Sequence, residues 1–196
     1  MKKIALVACV AAVVASAPAA TYYSQVGNDQ GQTSLRSPGV TRAWNTEPDG
    51  TGTSQTYVDG ADNIYVIRHV LRTPENWELL TLSQEMRFEG GRIMFKMKPN
   101  GGKVTLPNMV VPEDETGGFE LGMGNCENTL VGNCQIGAGG KLTLSWAPQD
   151  SRSLTFDAPV TGTGTLLCSG GGGKGWLDVS EGALTNFKGP IVVNIT

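Results

Sequence analysis

The chain has 196 residues, 15 Lys and Arg against 18 Asp and Glu, a formal net charge of −3, and only 17% charged side chains. Its basic residues are scattered singly, which leaves no stripe for nucleic acid and no cationic helix for an anionic membrane. Glycine accounts for 27 residues, roughly twice the usual share of about 7%; this disfavours helix but lacks the three-residue period of collagen.

Lys2 and Lys3 precede an apolar run from Ile4 to Ala15 that ends in Ser16-Ala17-Pro18-Ala19-Ala20. That order is the build of a secretory signal, with Ala17 and Ala19 as the small pair before the cut. The run is too short for the ~20 residues of a membrane span. Leu6-Val7-Ala8-Cys9 has the look of a lipobox, but it sits inside the apolar run, where cleavage is disfavoured. The sequence therefore predicts a signal peptide over 1–19 and a chain that is secreted or held at a bacterial cell surface, with no membrane span. Loss of Lys2 and Lys3 leaves 13 basic against 18 acidic side chains, a net charge of −5. The remainder suits one domain.

Residues 20–55 are polar and turn-rich, as in Ser37-Pro38-Gly39 and Pro48-Asp49-Gly50-Thr51-Gly52. They read as an extended lead-in anchored by Trp44, followed by a single β domain over 56–196. Asn63-Ile64-Tyr65-Val66-Ile67 is β-branched and aromatic, hence a strand. His69 follows with no recognisable acid or nucleophile beside it. Pro74-Glu75-Asn76-Trp77-Glu78-Leu79-Leu80 suits a short helix, with Pro early and acids in the first turn; a strand over Trp77–Leu82 is the competing reading. Met86 and Phe88 alternate with Arg87 and Glu89, which favours a strand.

From there glycine pairs precede strand-like runs: Gly90-Gly91, Gly101-Gly102, Gly117-Gly118 and Gly139-Gly140. The pattern continues through Gly162-Thr163-Gly164, Gly175-Trp176 and Gly182-Ala183. The intervals between pairs are unequal and lengthen along the chain, an irregular repeat of short strands with tight corners. A short, single-stranded, right-handed parallel β-helix accounts for this: each turn stacks its inward face on the next, and stability comes from neighbouring turns. The alternative is an antiparallel β-sandwich, which uses the same alternating strands.

Three cysteines lie beyond the signal. Cys126 and Cys134 stand in near-duplicate phrases, Gly124-Asn125-Cys126 and Gly132-Asn133-Cys134. Close together in an exported chain, they are expected to form a disulfide across a hairpin or successive corners. Cys168 is then a small buried hydrophobe or an alternative partner. The spacing matches no zinc pattern.

Few residues suggest chemistry. Gly170 to Gly173 and Lys174 lack the Ser or Thr and the helix of a phosphate loop. Glu113-Asp114-Glu115 offers calcium the right oxygens, though it equally reads as a solvated loop after Pro112. Arg87, Arg92 and Arg152 are lone arginines that would flank a groove. Trp44, Trp77, Trp146 and Trp176 are the candidate sugar platforms. No catalytic residue and no cofactor is expected, calcium being the one candidate ion.

Gly162-Thr163-Gly164-Thr165-Leu166-Leu167-Cys168-Ser169-Gly170, then Leu184-Thr185-Asn186-Phe187-Lys188-Gly189 and Val192-Val193-Asn194, resemble the strand repeats of autotransporter passenger domains. The phrases around Trp44-Asn45 and Gly60-Ala61-Asp62-Asn63-Ile64 resemble the opening of such secreted β-helical proteins. Together they cover about a third of the chain. The resemblance implies an extracellular β-helix used as stalk, adhesin or scaffold. No room exists for the membrane barrel that ends a full autotransporter.

The sequence stops within a strand-like run, Ile191-Val192-Val193-Asn194-Ile195-Thr196. Either the chain is a piece of something longer, or Ile191, Val192, Val193 and Ile195 form an assembly strand that docks on its own sheet or on a neighbour. The functional expectation is a structural or adhesive surface protein that forms homo-oligomers or filaments, with itself or other surface proteins as partners. The alternative is a carbohydrate-binding module or a small polysaccharide-active β-helix.

Overall fold

The structure, a computed structural model, describes residues 19–25, 43–57, 62–73, 79–95, 102–121, 127–146, 153–170 and 176–195. All of its regular elements are strands. They are β1 (Thr21–Ser24), β2 (Trp44–Asn45), β3 (Ser54–Gln55), β4 (Ile64–Ile67), β5 (Val70–Arg72), β6 (Leu79–Thr81), β7 (Glu85–Phe88), β8 (Arg92–Phe95) and β9 (Gly102–Val111). The rest are β10 (Thr116–Leu121), β11 (Glu127–Ile136), β12 (Lys141–Trp146), β13 (Ser153–Asp157), β14 (Val160–Gly162), β15 (Thr165–Gly170), β16 (Trp176–Val179) and β17 (Ile191–Ile195).

The strands wind into a parallel β-solenoid. An 11-stranded sheet runs β16-β13-β11-β9-β7-β4-β1-β2-β3, with β14 on β11 and β6 on β9; a six-stranded sheet runs β17-β15-β12-β10-β8-β5. The chain alternates between them, each passage laying a strand beside its counterpart from the previous coil. Ile93 pairs with Phe119, Phe119 with Leu144, Leu144 with Cys168, and Cys168 with Val193, so the coils are nearly equal in length. Coil-to-coil pairing is parallel throughout, which rules out the antiparallel sandwich. Only β1–β2 and β2–β3 are antiparallel.

Because side chains alternate faces along a strand, each inward position repeats once per coil and stacks on itself. One column is Leu71, Ile93, Phe119, Leu144 and Cys168, all buried. A second is Tyr65, Met86, Met109, Cys134 and Val160. The two sheets meet across the interior, where Phe88 of β7 sets its edge against Phe119 of β10 at 5.2 Å between centroids. The larger sheet bends where β9 carries Pro107, which has no N–H for the ladder. Opposite it the register slips between Gly132 and Asn133, and the Asn133 amide donates to the Pro107 carbonyl at 3.2 Å. Gly132 has φ +139, and a Cβ there would strike the Leu106 carbonyl, so this bulge requires glycine.

Two expectations need correcting. Gly117-Gly118 is not a corner: both residues lie inside β10. Gly117 faces inward, and the space a Cβ would take is filled by Phe88. The disulfide is the second. Cys134 is a free thiol, 2% exposed, stacked between Met109 and Val160. The hairpin that pairing needs does not exist, because Glu127–Ile136 is one strand. The stretch of strand between Glu127 and Cys134 spans about 23 Å at ~3.3 Å per residue, far beyond the ~6 Å between bridged Cα atoms. Cys126 itself lies outside the described residues, as do most of the Pro74–Leu80 segment and the signal; Leu79–Thr81 is strand.

Candidate functional site

The two ends of the stack differ among the described residues. At the N-terminal end the lead-in folds over the core. Trp44 is fully buried and sets its edge on Tyr65 at 4.7 Å; Tyr22 stacks on the same ring at 5.2 Å and Tyr57 lies 4.7 Å away. Each such pair contributes about 0.5–1.5 kcal/mol beyond its burial. Asn45, 1% exposed, fixes the turn between β2 and β3. Its amide donates to Gln25 Oε1, Gly50 O and Gly52 O, and its Oδ1 accepts from Glu47 N–H. Trp44 is thus a cap and offers no face to a sugar.

Ser24 and His69 belong to the same cap. The Ser24 hydroxyl accepts from the N–H groups of Arg68 and His69 at 2.8 and 3.1 Å. His69 Nδ1 lies 2.9 Å from the Ser24 carbonyl and 3.1 Å from its hydroxyl. A carbonyl only accepts, so Nδ1 carries the proton of that bond. The pair clamps β1 to the corner after β4, which is an anchoring geometry and not that of an activated nucleophile.

At the C-terminal end no described residue provides such a cover. Val193 continues the column below Cys168, and Ile191 continues the one below Leu166. Both hold inward positions, yet Ile191 is 48% exposed and Val193 62%. Val192, on the other face, is 44% exposed; of Ile195 only the backbone is described. The Leu166 N–H donates to the Pro190 carbonyl at 3.0 Å. Successive residues of a strand direct their main-chain groups to opposite edges, so Val192 and Asn194 face β15. Ile191, Val193 and Ile195 then turn their N–H and C=O groups to the far edge, where no described strand pairs. The candidate assembly residues therefore form an apolar, main-chain-competent edge. Trp176 opens β16 on the same final coil and is 51% exposed.

The other candidates do not converge. Trp77 and Arg152 lie outside the described residues, as do Gly171 to Lys174, and only the backbone of Trp146 is described. Arg87 is bound to Glu85 at 2.7 Å, and Glu85 also accepts from Asn108. Arg92 is paired with Glu120 at 2.8 Å. Glu113 and Asp114 occupy the corner between β9 and β10, where Asp114 takes φ +59 and donates its N–H to Ala138 O at 3.0 Å. Among the described residues no three acidic, His or Cys side chains are grouped to hold a metal ion. No described helix is long and apolar enough to cross a membrane. On the outer face of the six-stranded sheet, Gly118 leaves a notch between Arg92 and Thr143, bordered by Lys141 and Ser145. Its volume of about 260 Å³ falls below the ~300 Å³ at which ligand clefts begin.

Two thiols are buried in the columns. Desolvation pushes Cys134 up to about 12 and also raises Cys168, so neither is a reactive thiolate.

No family model, curated protein or solved structure matches this chain. Its β-solenoid architecture rests on its own strand pairing.

Proposed function

We propose that the protein is a secreted, surface-associated structural β-solenoid whose C-terminal end joins it to another copy of itself. One observation carries this reading: Ile191 and Val193 sit at inward core positions yet remain about half or more exposed. Contiguous exposed apolar surface on a strand edge marks an association site. Folded coils above a capped end supply a rigid body, and the signal-like leader at residues 1–19 supplies export.

Light scattering on the eluting protein tests assembly. The mass rises above one chain as concentration increases, and Val193→Lys holds it at one chain. A wild-type chain that stays at one chain mass at hundreds of micromolar removes the reading. Export is tested separately, by N-terminal sequencing of protein recovered outside the cell, which begins near Ala20.

A further inference from the structure

Small residues stand before several bonds of Ser16-Ala17-Pro18-Ala19-Ala20, so the leader pattern alone does not fix where an exported chain is cut. The strand that follows is more exacting. β1 lies between two neighbours, parallel to β4 on one edge and antiparallel to β2 on the other. Its register with β4 and β7 runs Thr21, Ile64, Glu85. One residue earlier, the same register sets Ala20, Asn63 and Gln84 side by side.

Those three residues are bonded to one another. The Ala20 N–H donates to Asn63 Oδ1 at 3.1 Å, and the Ala20 carbonyl accepts from the Ile64 N–H at 2.9 Å. The Asn63 N–H in turn donates to Gln84 Oε1 at 3.0 Å. Asn63 and Gln84 are buried, 6% and 5% exposed, so a lost partner there leaves a polar group that water does not reach. Ala20 is half-buried, whereas Ala19 is exposed and takes no part in this ladder.

We infer that the leader is removed at the Ala19–Ala20 bond, and that the α-amino group this frees is part of the fold, seated on Asn63 Oδ1. This rests on the reading that the chain is exported. A signal peptidase of the exporting cell adds water across that bond. The hydroxyl goes to the Ala19 carbonyl carbon, which leaves as a carboxylate, and the protons go to the Ala20 nitrogen, which becomes an ammonium. An ammonium donates a stronger hydrogen bond to Asn63 Oδ1 than the neutral amide it replaces. A cut one residue later removes both bonded groups of Ala20 and strands the buried Asn63 Oδ1 and the Ile64 N–H. A cut one residue earlier retains an exposed residue and keeps the Ala20 nitrogen a neutral amide.

Three chains that begin at Ala19, Ala20 or Thr21 and run to Thr196 test the seat. Each is released from an N-terminal carrier by a protease that leaves no extra residue, so all three contain β1 to β17. Amide hydrogen exchange at Ile64 is the readout. The chain beginning at Ala20 exchanges slowest of the three, and the one beginning at Thr21 about tenfold faster. Asn63→Ala, made in the Ala19 and Ala20 chains, removes the difference between them. An Ile64 amide no slower in the Ala20 chain than in either of the others overturns the seat. The boundary is read on the whole precursor, expressed in a bacterium that exports it, by N-terminal sequencing of the released protein. A start at Ala20 is expected. A start at any other residue overturns the boundary and leaves the export reading standing, whereas a chain retained in the cell with its leader uncut overturns both.

Discussion

Leu144 and Val193 hold the same inward column two coils apart, so truncating each to alanine compares a filled rung with an open one. Leu144 is fully buried between Phe119 and Cys168, and Leu144→Ala costs roughly 2–5 kcal/mol, the range for buried leucine. Val193 is 62% exposed, so only about two-fifths of its surface is removed from water. Full burial of a valine is worth about 1.5–3 kcal/mol, which puts the cost of Val193→Ala below about 1 kcal/mol in a single chain. Coupling in a stack runs between neighbours, so both losses stay local. Urea unfolding followed by circular dichroism, at sub-micromolar protein, measures both. The Val193→Ala penalty then grows as protein concentration rises, because the second copy supplies the missing neighbour, whereas the Leu144→Ala penalty does not change in that way. Equal penalties at low concentration would refute the placement of Val193 at an open end.

Four further outcomes follow from the same geometry. Gly164→Ala lowers the melting temperature markedly, because a Cβ there strikes the carbonyls of Gly137 and Gly140; Gly90→Ala, at φ +87 with nothing within 4 Å, costs only the ~1–2 kcal/mol of a left-handed backbone. Ser24→Ala strands the N–H groups of Arg68 and His69 and costs about 2 kcal/mol, measured by urea unfolding. Cys134 resists alkylation at pH 8 until the protein unfolds. Its folded-state pKa lies above the ordinary 9.0, so its contribution is complete below pH 9 and declines as pH rises toward 12, by up to about 1.4 kcal/mol per pH unit; Cys134→Ala flattens that part of the stability curve.

The coil was legible because its causes are local. Alternating apolar residues in Met86–Phe88, Leu142–Leu144 and Leu166–Cys168 announce strands with one buried face, and glycine at 90–91 and 139–140 marks true corners. The period was hidden because one corner uses other residues. The corner column runs Glu115, Gly140, Gly164 and Gly189 at nearly even spacing, and Glu115 breaks its glycine signature. Gly117-Gly118 misled for the opposite reason, since Gly117 lacks a side chain in order to admit Phe88, a neighbour from the preceding coil. The repeated Gly-Asn-Cys phrase suggested a bridge, but its second copy straddles a bulge set by Pro107 on the previous coil. That partner is non-local and invisible in the phrase itself.

The candidate site divides in the same manner. The apolar run at 191–195 was legible as a strand. Which of its main-chain groups face outward depends on the Leu166–Pro190 hydrogen bond, a contact between coils. The role of Trp44 depends on Tyr65, which no local pattern in the lead-in announces as its partner.

Amide hydrogen exchange resolved along β17, at low and high protein concentration, reaches the central claim directly. Val192 and Asn194, bonded to the preceding coil, exchange slowly at both concentrations, while Val193 exchanges fast when dilute and slows at least tenfold when concentrated. A Val193 amide whose rate is the same at both concentrations contradicts the account.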